Sequence, residues 1–235
     1  MFNPKDITVL ILVGGEGTRL KEKVNDRPKP MALIHGKPML EYQLDFLSKY
    51  NLRNVILCTG YKSEFIEERY QSGYKDFNII ISKEKSPLGT CGAIKNDLDK
   101  VNNQHILAIN GDSYIEFDPI FFMHHLESYE ETKILMLVKN MQDCDSFGSV
   151  TLDTNNLLIE FAEKEHSDSS GIVNLGFYGF NKDVFSDIPL GERLSLEEDF
   201  FPSKTGKILC VFSENEFIDI GTPETYKLAE NFFSP

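Results

Sequence analysis

Residues 7 to 13, ITVLILV, form an unbroken apolar, β-branched run. That is the pattern of a strand covered on both faces in a parallel sheet, not of one with a wet side. NVILCTG (54 to 60), FNIIIS (77 to 82) and HILAIN (105 to 110) repeat it. Between these runs the period changes. PMLEYQLDFLSKY places Leu40, Leu44 and Leu47 at helical spacing with Phe46 alongside, KSEFIEERYQSG reads as a helix ending at Gly73, and residues 91 to 100 read as another. Strands alternating with helices imply βαβ crossovers and a doubly wound α/β fold.

Beyond residue 130 the pattern shortens. Residues 133 to 139, 147 to 152, 157 to 163 and 172 to 180 read as successive strands with short polar connections, suited to adding antiparallel members to the sheet. SLEEDFFP (195 to 202) starts a short helix, residues 208 to 213 and 217 to 220 are short strands, and a terminal helix follows Thr222. The sequence contains no internal repeat and no low-complexity segment. The change near residue 140 therefore reads as a change of role within one compact fold over 1–235.

Composition narrows the class. With 41% hydrophobic residues in 235, the chain can bury one large α/β core. A net charge of −13 repels nucleic acid and anionic membranes, so neither is an expected partner and any anionic ligand must be captured locally. Cys58, Cys91, Cys144 and Cys210 form no C-x-x-C pair and read as buried thiols of a reducing cytosol. The apolar run at 7 to 13 is too short for a signal segment or a membrane span, which makes the cytoplasm the expected location.

The chemistry starts at LVGGEGTRLKEKVNDRPKPMA, residues 12 to 32. A dinucleotide fingerprint fails because Leu20 stands where the third glycine is needed. A Walker loop fails because Arg19 lies five residues after Gly14 and no Gly-Lys-Ser/Thr follows. What remains is a strand running into Gly14 and Gly15, which can present bare backbone N–H groups to an anion. Arg19 adds a planar fork of donors, and Lys29 stands between Pro28 and Pro30, which restrict the backbone on both sides.

Triphosphate chemistry commonly uses Mg²⁺ held by one or two carboxylates plus phosphate oxygens. Asp112 is the first candidate, at the carboxyl end of the fourth strand, where open α/β sheets bind ligands; Gly111 before it leaves room for phosphates. Asp219 in FIDIGTPETY is the second, on a short strand stiffened by Gly221, the capping Thr222 and Pro223. Asp6, Asp97, Asp118 and Asp153 lack such framing and read as solvated. His124 and His125 point about 100° apart on a helix and cannot share a metal. Ser195 with Glu198 fits a capping box. Phe121, Phe122, Phe200, Phe201, Phe232 and Phe233 read as core or interface anchors.

Taken together, LVGGEGTRL, PKPM, GKPMLEY, PLGTCGAI, the Gly111-Asp112 pair, Glu163-Lys164, VNLGFYGF and DIGTPETY occur in this order in sugar-1-phosphate nucleotidylyltransferases, which the chain resembles over nearly its whole length. The resemblance implies a Rossmann-like mixed, mainly parallel sheet flanked by helices, without the C-terminal β-helix of some relatives. It also implies a nucleotide-binding half over about 1–140 and a sugar-phosphate-binding half over about 141–235. The form of PKPM, GKPMLEY and PLGTCGAI is most similar to the branch of heptose 1-phosphate guanylyltransferases. GTP and a manno-configured heptose 1-phosphate follow from that branch alone, and the residues themselves leave base and sugar open.

By the same resemblance, nucleotide binding falls to Leu12, Gly14, Gly15, Gly17 and Thr18, to Pro87, Leu88 and Gly89 with Thr90 at the base, and to Asn110 and Gly111. Arg19 would hold the β- and γ-phosphates and Lys29 would lie near the α-phosphate. Gly148, Glu163, Lys164, Asn174 and Gly176 would bind the sugar phosphate, and Asp112 and Asp219 would hold Mg²⁺. Val13, Cys91 and Phe217 depart mildly from the family pattern. Many relatives are dimers, and the oligomeric state stays open. A catalytically silent nucleotide-sensing or scaffold subunit is the rival reading; such relatives usually lose the arginine, the lysine or an aspartate, and Arg19, Lys29, Asp112 and Asp219 are all present. A glycosyltransferase would want a D-x-D motif, and Asp112 is followed by Ser113 and Tyr114.

Overall fold

The structure, a computed structural model, describes residues 2–15, 26–128, 132–142, 144, 147–162 and 170–234. In chain order its first half holds β1 (Ile7–Leu12), the short hairpin β2 (Leu33–Ile34) and β3 (Lys37–Pro38), and α1 (Met39–Lys49). These are followed by β4 (Asn54–Thr59), α2 (Ser63–Tyr70), β5 (Asn78–Lys83), α3 (Gly89–Asp97) and β6 (His105–Asn110). The remainder holds β7 (Ser113–Ile115), α4 (Pro119–Ser128), β8 (Ile134–Met141), β9 (Ser149–Leu152), β10 (Leu158–Ala162), β11 (Gly171–Asn181), β12 (Ile208–Phe212), β13 (Phe217–Asp219) and α5 (Pro223–Phe232).

β5, β4, β1 and β6 lie side by side and parallel. β11 joins β6 antiparallel, β8 pairs antiparallel with β11, and β12 runs parallel to β8. The β9–β10 hairpin pairs with the first half of β11. The sheet is thus mixed and mainly parallel, flanked by helices, and its second half supplies the antiparallel members.

The unbroken apolar run of β1 now has its cause. Ile7, Val9 and Ile11 pack into one cluster with α1, α2 and α4, while Leu10 faces the other cluster with α3 and the Phe185, Phe200 and Phe201 side chains. All four of these β1 side chains are fully buried. Each contributes about 1.5–3 kcal/mol on burial, so the strand is a stiff mount for the loop that follows it.

Two local expectations change. Asp97 is 1% exposed, not solvated: it accepts hydrogen bonds from Ser82, Asn96 and Lys100 and ties α3 to β5. Asp118 is exposed but caps α4, its Oδ1 accepting from the Ile120 and Phe121 N–H groups at 2.9 Å each. Among the described residues, no helix is long and apolar enough to cross a membrane.

Candidate active site

A cleft of about 800 Å³ runs across the carboxyl ends of β6, β1, β4 and β5. Leu12, Gly14 and Gly15 line it from β1, Gly60 and Tyr61 from β4, Glu84 and Pro87 from the end of β5, and Asn110 and Asp112 from β6. Neighbouring strands lie roughly 4.8 Å apart, so Asp112 and Glu84, three strands apart, are separated by roughly 14 Å, enough for a nucleotide laid across the strand ends.

One end of the cleft is charged. Lys29 sits in a short 3₁₀ turn, Lys29–Met31, entered from Pro28 in extended conformation and continued by Pro30. Its Nζ donates to Asp112 Oδ2 at 2.7 Å. Asp112 and Asp219 are brought together by a ribbon of β7 and β13, in which Asp219 faces Ser113 and the Ile220 N–H donates to the Asp112 carbonyl at 2.9 Å. Asp219 is fixed in turn by the Gly221 N–H (2.6 Å) and the Ser113 hydroxyl (3.3 Å). A Cβ on Gly221 would lie 2.4 Å from Asp219 Oδ1 and 3.7 Å from Lys29 Nζ, which places ammonium and carboxylates around one point. Among the described residues no group of three or more metal-ligating side chains occurs, so a cation here would have two protein carboxylates and take its other ligands from substrate or water. That hard-oxygen set fits a divalent ion such as Mg²⁺.

The other end is built around Glu84. Its Oε2 accepts the Leu88 N–H at 3.0 Å. Burial pushes its carboxyl above the ordinary carboxylate value, against the opposing pull of the Leu88 N–H. Beyond it, Gly89 starts α3 with φ +71°, and a Cβ there would meet the Leu194 carbonyl at 2.4 Å. The Cys91 and Gly92 N–H groups donate to the same carbonyl. Gly89 is therefore needed for backbone packing against the 192–195 segment, in addition to its expected place in the base-contacting stretch. Leu88 is buried and does not line the cleft, whereas Pro87, Gly89 and Thr90 do.

A model of the nucleotidyl transferase family matches residues 8–234. The chain belongs to that family. It is 41% identical over 220 residues to the D-glycero-alpha-D-manno-heptose 1-phosphate guanylyltransferase of Campylobacter jejuni, a match covering 92% of this chain and 96% of that one. The protein of the same name from Aneurinibacillus thermoaerophilus is 37% identical over 224 residues, covering 94% and 96%. Among solved structures, HddC from Yersinia pseudotuberculosis complexed with GMP-PN superimposes with a TM-score of 0.86 at 34% identity, over 97% of this chain and 99% of that one.

Of the residues expected on the sugar side, Asn174 and Gly176 lie on β11 next to β6. Between Asn174 and Tyr178 the register of β11 shifts, and Gly176 takes φ +76° there with Asn110 pressed against it. Asn174 Oδ1 accepts the Gly176 N–H, and its Nδ2 donates to the Tyr178 hydroxyl at 2.7 Å. Gly148 packs under the Phe161 ring, where a Cβ would lie 2.8 Å from Cζ, and its carbonyl accepts the Asn174 N–H. None of Gly148, Asn174 and Gly176 lines the main cleft. At Gly111 a Cβ would meet the Leu12 carbonyl at 2.8 Å and Pro30 at 2.9 Å, so the glycine is required by close packing against the end of β1 and the Lys29 turn. Gly17, Thr18, Arg19, Glu163 and Lys164 lie outside the described residues.

A polar chain joins the two sides. Glu197, in a single π-helical turn (Leu196–Phe200), accepts from the Thr90 hydroxyl at 2.9 Å and from the Tyr178 hydroxyl at 3.2 Å. Burial holds the Tyr178 phenol well above its ordinary value. Ser195 caps this turn as expected, its Oγ accepting the Glu197 and Glu198 N–H groups, but the carboxylate that reaches back to the Ser195 N–H is Asp199, not Glu198, because the wider π turn shifts the partner by one. Sequence reasoning missed Gln43, whose buried amide donates to the Asn110 and Ser113 carbonyls (2.8 and 2.7 Å) and holds the turn bearing Asp112. It also missed Glu84, Tyr61 and Arg193 along the cleft. The strand-end rule that picked Asp112 was available for Glu84, one residue past β5.

Proposed function

We propose that the protein transfers a guanylyl group from GTP to D-glycero-α-D-manno-heptose 1-phosphate, forming a nucleotide-diphospho-sugar and pyrophosphate. The observation that carries this reading is 41% and 37% identity, along 96% of their lengths, to two proteins of that name. The cleft supports it: a charged end at Lys29, Asp112 and Asp219 lies about one nucleotide's length from the end at Glu84, and β11 flanks the first of these.

A sugar 1-phosphate is already an anion at neutral pH, so its oxygen can attack the α-phosphorus without a general base, and pyrophosphate leaves in line. The protein's work is to bring two polyanions together and align them. Lys29, held between two prolines, sits where negative charge grows on the α-phosphate. Arg19 takes the β- and γ-phosphates in this reading. Leu12, Gly14, Gly15, Gly17, Thr18, Asn110 and Gly111 form or support the nucleotide cradle, with Pro87, Leu88, Gly89 and Thr90 shaping the base end. Lys164 neutralises the acceptor phosphate, Glu163 accepts from sugar hydroxyls, and Asn174, Gly148 and Gly176 shape that side. Asp112 and Asp219 would hold Mg²⁺, which supplies charge neutralisation on the phosphates when bound.

The residues before about 140 thus form the nucleotide half and those after it the sugar half. We place the reaction in the cytoplasm, where nucleoside triphosphates are made and buried thiols such as Cys58, Cys91 and Cys210 stay reduced. The test is pyrophosphate release from four triphosphates against heptose, mannose and glucose 1-phosphates. Release that is fastest with GTP and the heptose phosphate, and that requires both substrates, supports the reading. No release with any pair refutes it.

A further inference from the structure

We propose that Gln43 is a positioning residue for the cation site: its buried amide fixes Asp112 and, through Ser113, Asp219. The proposal rests on the reading above in which these two carboxylates hold Mg²⁺, and it names the group that registers one against the other. Gln43 stands on α1 and does not line the cleft, so it acts through the backbone rather than by touching substrate.

Met39, Leu40, Phe46 and Leu47 lie one helical turn before and after Gln43, and all are buried. Gln43 sits in this apolar face, 1% exposed. A leucine or methionine there would fit the helical pattern without burying a polar group. What the amide adds is reach to the turn between β6 and β7. Its Nε2 donates to the Asn110 carbonyl at 2.8 Å and to the Ser113 carbonyl at 2.7 Å. Both partners are acceptors, so the amide has one usable orientation; flipped, its oxygen would face two carbonyls. That orientation leaves Oε1 buried without a hydrogen-bond partner among the described residues. An unpaired buried acceptor is destabilising, and a local rule broken in this way points to service at a site.

The two carbonyls stand on either side of Gly111 and Asp112, so one nitrogen bonded to both pins the width of the turn at its base. The Gly111 N–H donates to the Leu12 carbonyl at 3.0 Å and the Ile220 N–H to the Asp112 carbonyl at 2.9 Å, which ties the rest of the turn to β1 and to the end of β13. Ser113 carries the effect further. Its carbonyl is held by Gln43, and its hydroxyl donates to Asp219 Oδ2 at 3.3 Å. One side chain is thereby linked to both carboxylates, to the first through the turn and to the second through the serine. Asp112 also accepts from Lys29 at 2.7 Å, so a turn free to widen would shift the carboxylate against the ammonium as well. Groups that orient metal ligands without touching the metal change its affinity or the activity by about 10- to 100-fold.

The experiment is calorimetry of the purified full chain with α,β-methylene-GTP, which cannot be cleaved at the reacting bond, with and without Mg²⁺ and with no sugar phosphate present. The ratio of the two affinities measures the coupling of cation and nucleotide and needs no turnover. Gln43→Met keeps the length of the side chain and removes the donors, whereas Gln43→Asn keeps the amide and withdraws it by one methylene. Each is expected to lower the Mg²⁺-dependent gain in affinity about 10-fold, while the metal-free affinity stays within about threefold of wild type. With GTP, Mg²⁺ and the heptose 1-phosphate, kcat is expected to fall about 10- to 100-fold and the KM for the sugar phosphate to stay within about threefold. A merely structural role would lower the melting temperature and leave the Mg²⁺-dependent gain untouched, and that result overturns the proposal. Equal loss of affinity with and without Mg²⁺ overturns it too, as does failure of both variants to fold, since Gln43 then serves the core alone. A wild type that gains no affinity from Mg²⁺ removes the reading of Asp112 and Asp219 as cation ligands, and the proposal with it, whatever the variants do.

Discussion

Thr90→Val tests the polar chain that ties α3 to β11, because valine keeps the shape of threonine and removes only the hydroxyl. In the native protein that hydroxyl donates to Glu197 Oε2 at 2.9 Å and accepts the Leu196 N–H at 2.7 Å. Leu196 is fully buried, so its N–H would lose its partner without gaining water, at about 1–3 kcal/mol. The lost bond to a carboxylate adds about 1.5–3 kcal/mol at most. Glu197 keeps Ser195 on the same oxygen and Tyr178 on the other, which favours the lower end of that range. No cavity opens, since a methyl replaces the hydroxyl. The expected loss is about 2–4 kcal/mol, or about 5–15 °C in melting temperature for a chain of this size. Thermal unfolding followed by circular dichroism measures it. A double-mutant cycle with Glu197→Gln should show a combined loss smaller than the sum, since the Thr90–Glu197 bond is removed only once. A melting temperature within about 1 °C of wild type would refute the reasoning, because a buried N–H stranded without a partner cannot be neutral.

Replacing Asp112 or Asp219 by Asn should lower Mg²⁺-dependent pyrophosphate release about 100-fold or more, with the far-ultraviolet spectrum unchanged; retained turnover would remove the carboxylate from the site. Lys29→Met should reduce kcat about 100- to 1,000-fold with a much smaller change in the KM for GTP, since the interaction is strongest where charge develops on the α-phosphate. Burial raises the Glu84 carboxyl above its ordinary value, so its ionisation in the folded state is disfavoured. That penalty is absent below the unfolded value and grows as pH rises through the raised folded value. Glu84→Gln should therefore melt higher than wild type at pH 8 and close to it at pH 4, and denaturation at the two pH values decides it.

The parallel half of the sheet was legible because β1, β4 and β6 are buried on both faces and each parallel strand is separated from the next by a helical pattern, while the edge strand β5 keeps an apolar run although it is only half-buried. The short elements β2, β3 and β7 were not, because two or three residues carry no periodicity; they are set by what they support, namely the Lys29 turn and the aspartate ribbon. Asp112 and Lys29 could be found from strand ends and proline framing. The glycines carry a packing role the sequence did not reveal. Gly89 and Gly148, expected at the base and the sugar, and Gly111, expected to leave room for phosphates, each also stand where backbone or a ring approaches closely, a contact between distant segments that sequence order conceals. Asp97 failed for the same reason: its partners Ser82 and Lys100 come together only once α3 lies on β5.

The β7–β13 ribbon has a bearing on when the protein becomes competent. It pairs Ser113 with Asp219 across 106 residues of chain, and it is the contact that sets the second carboxylate beside the first. During synthesis Lys29 and Asp112 emerge long before Asp219 leaves the ribosome. In the reading proposed above, the pair of carboxylates is therefore completed last, and closure of the three-residue β13 onto β7 is the step that brings the second beside the first.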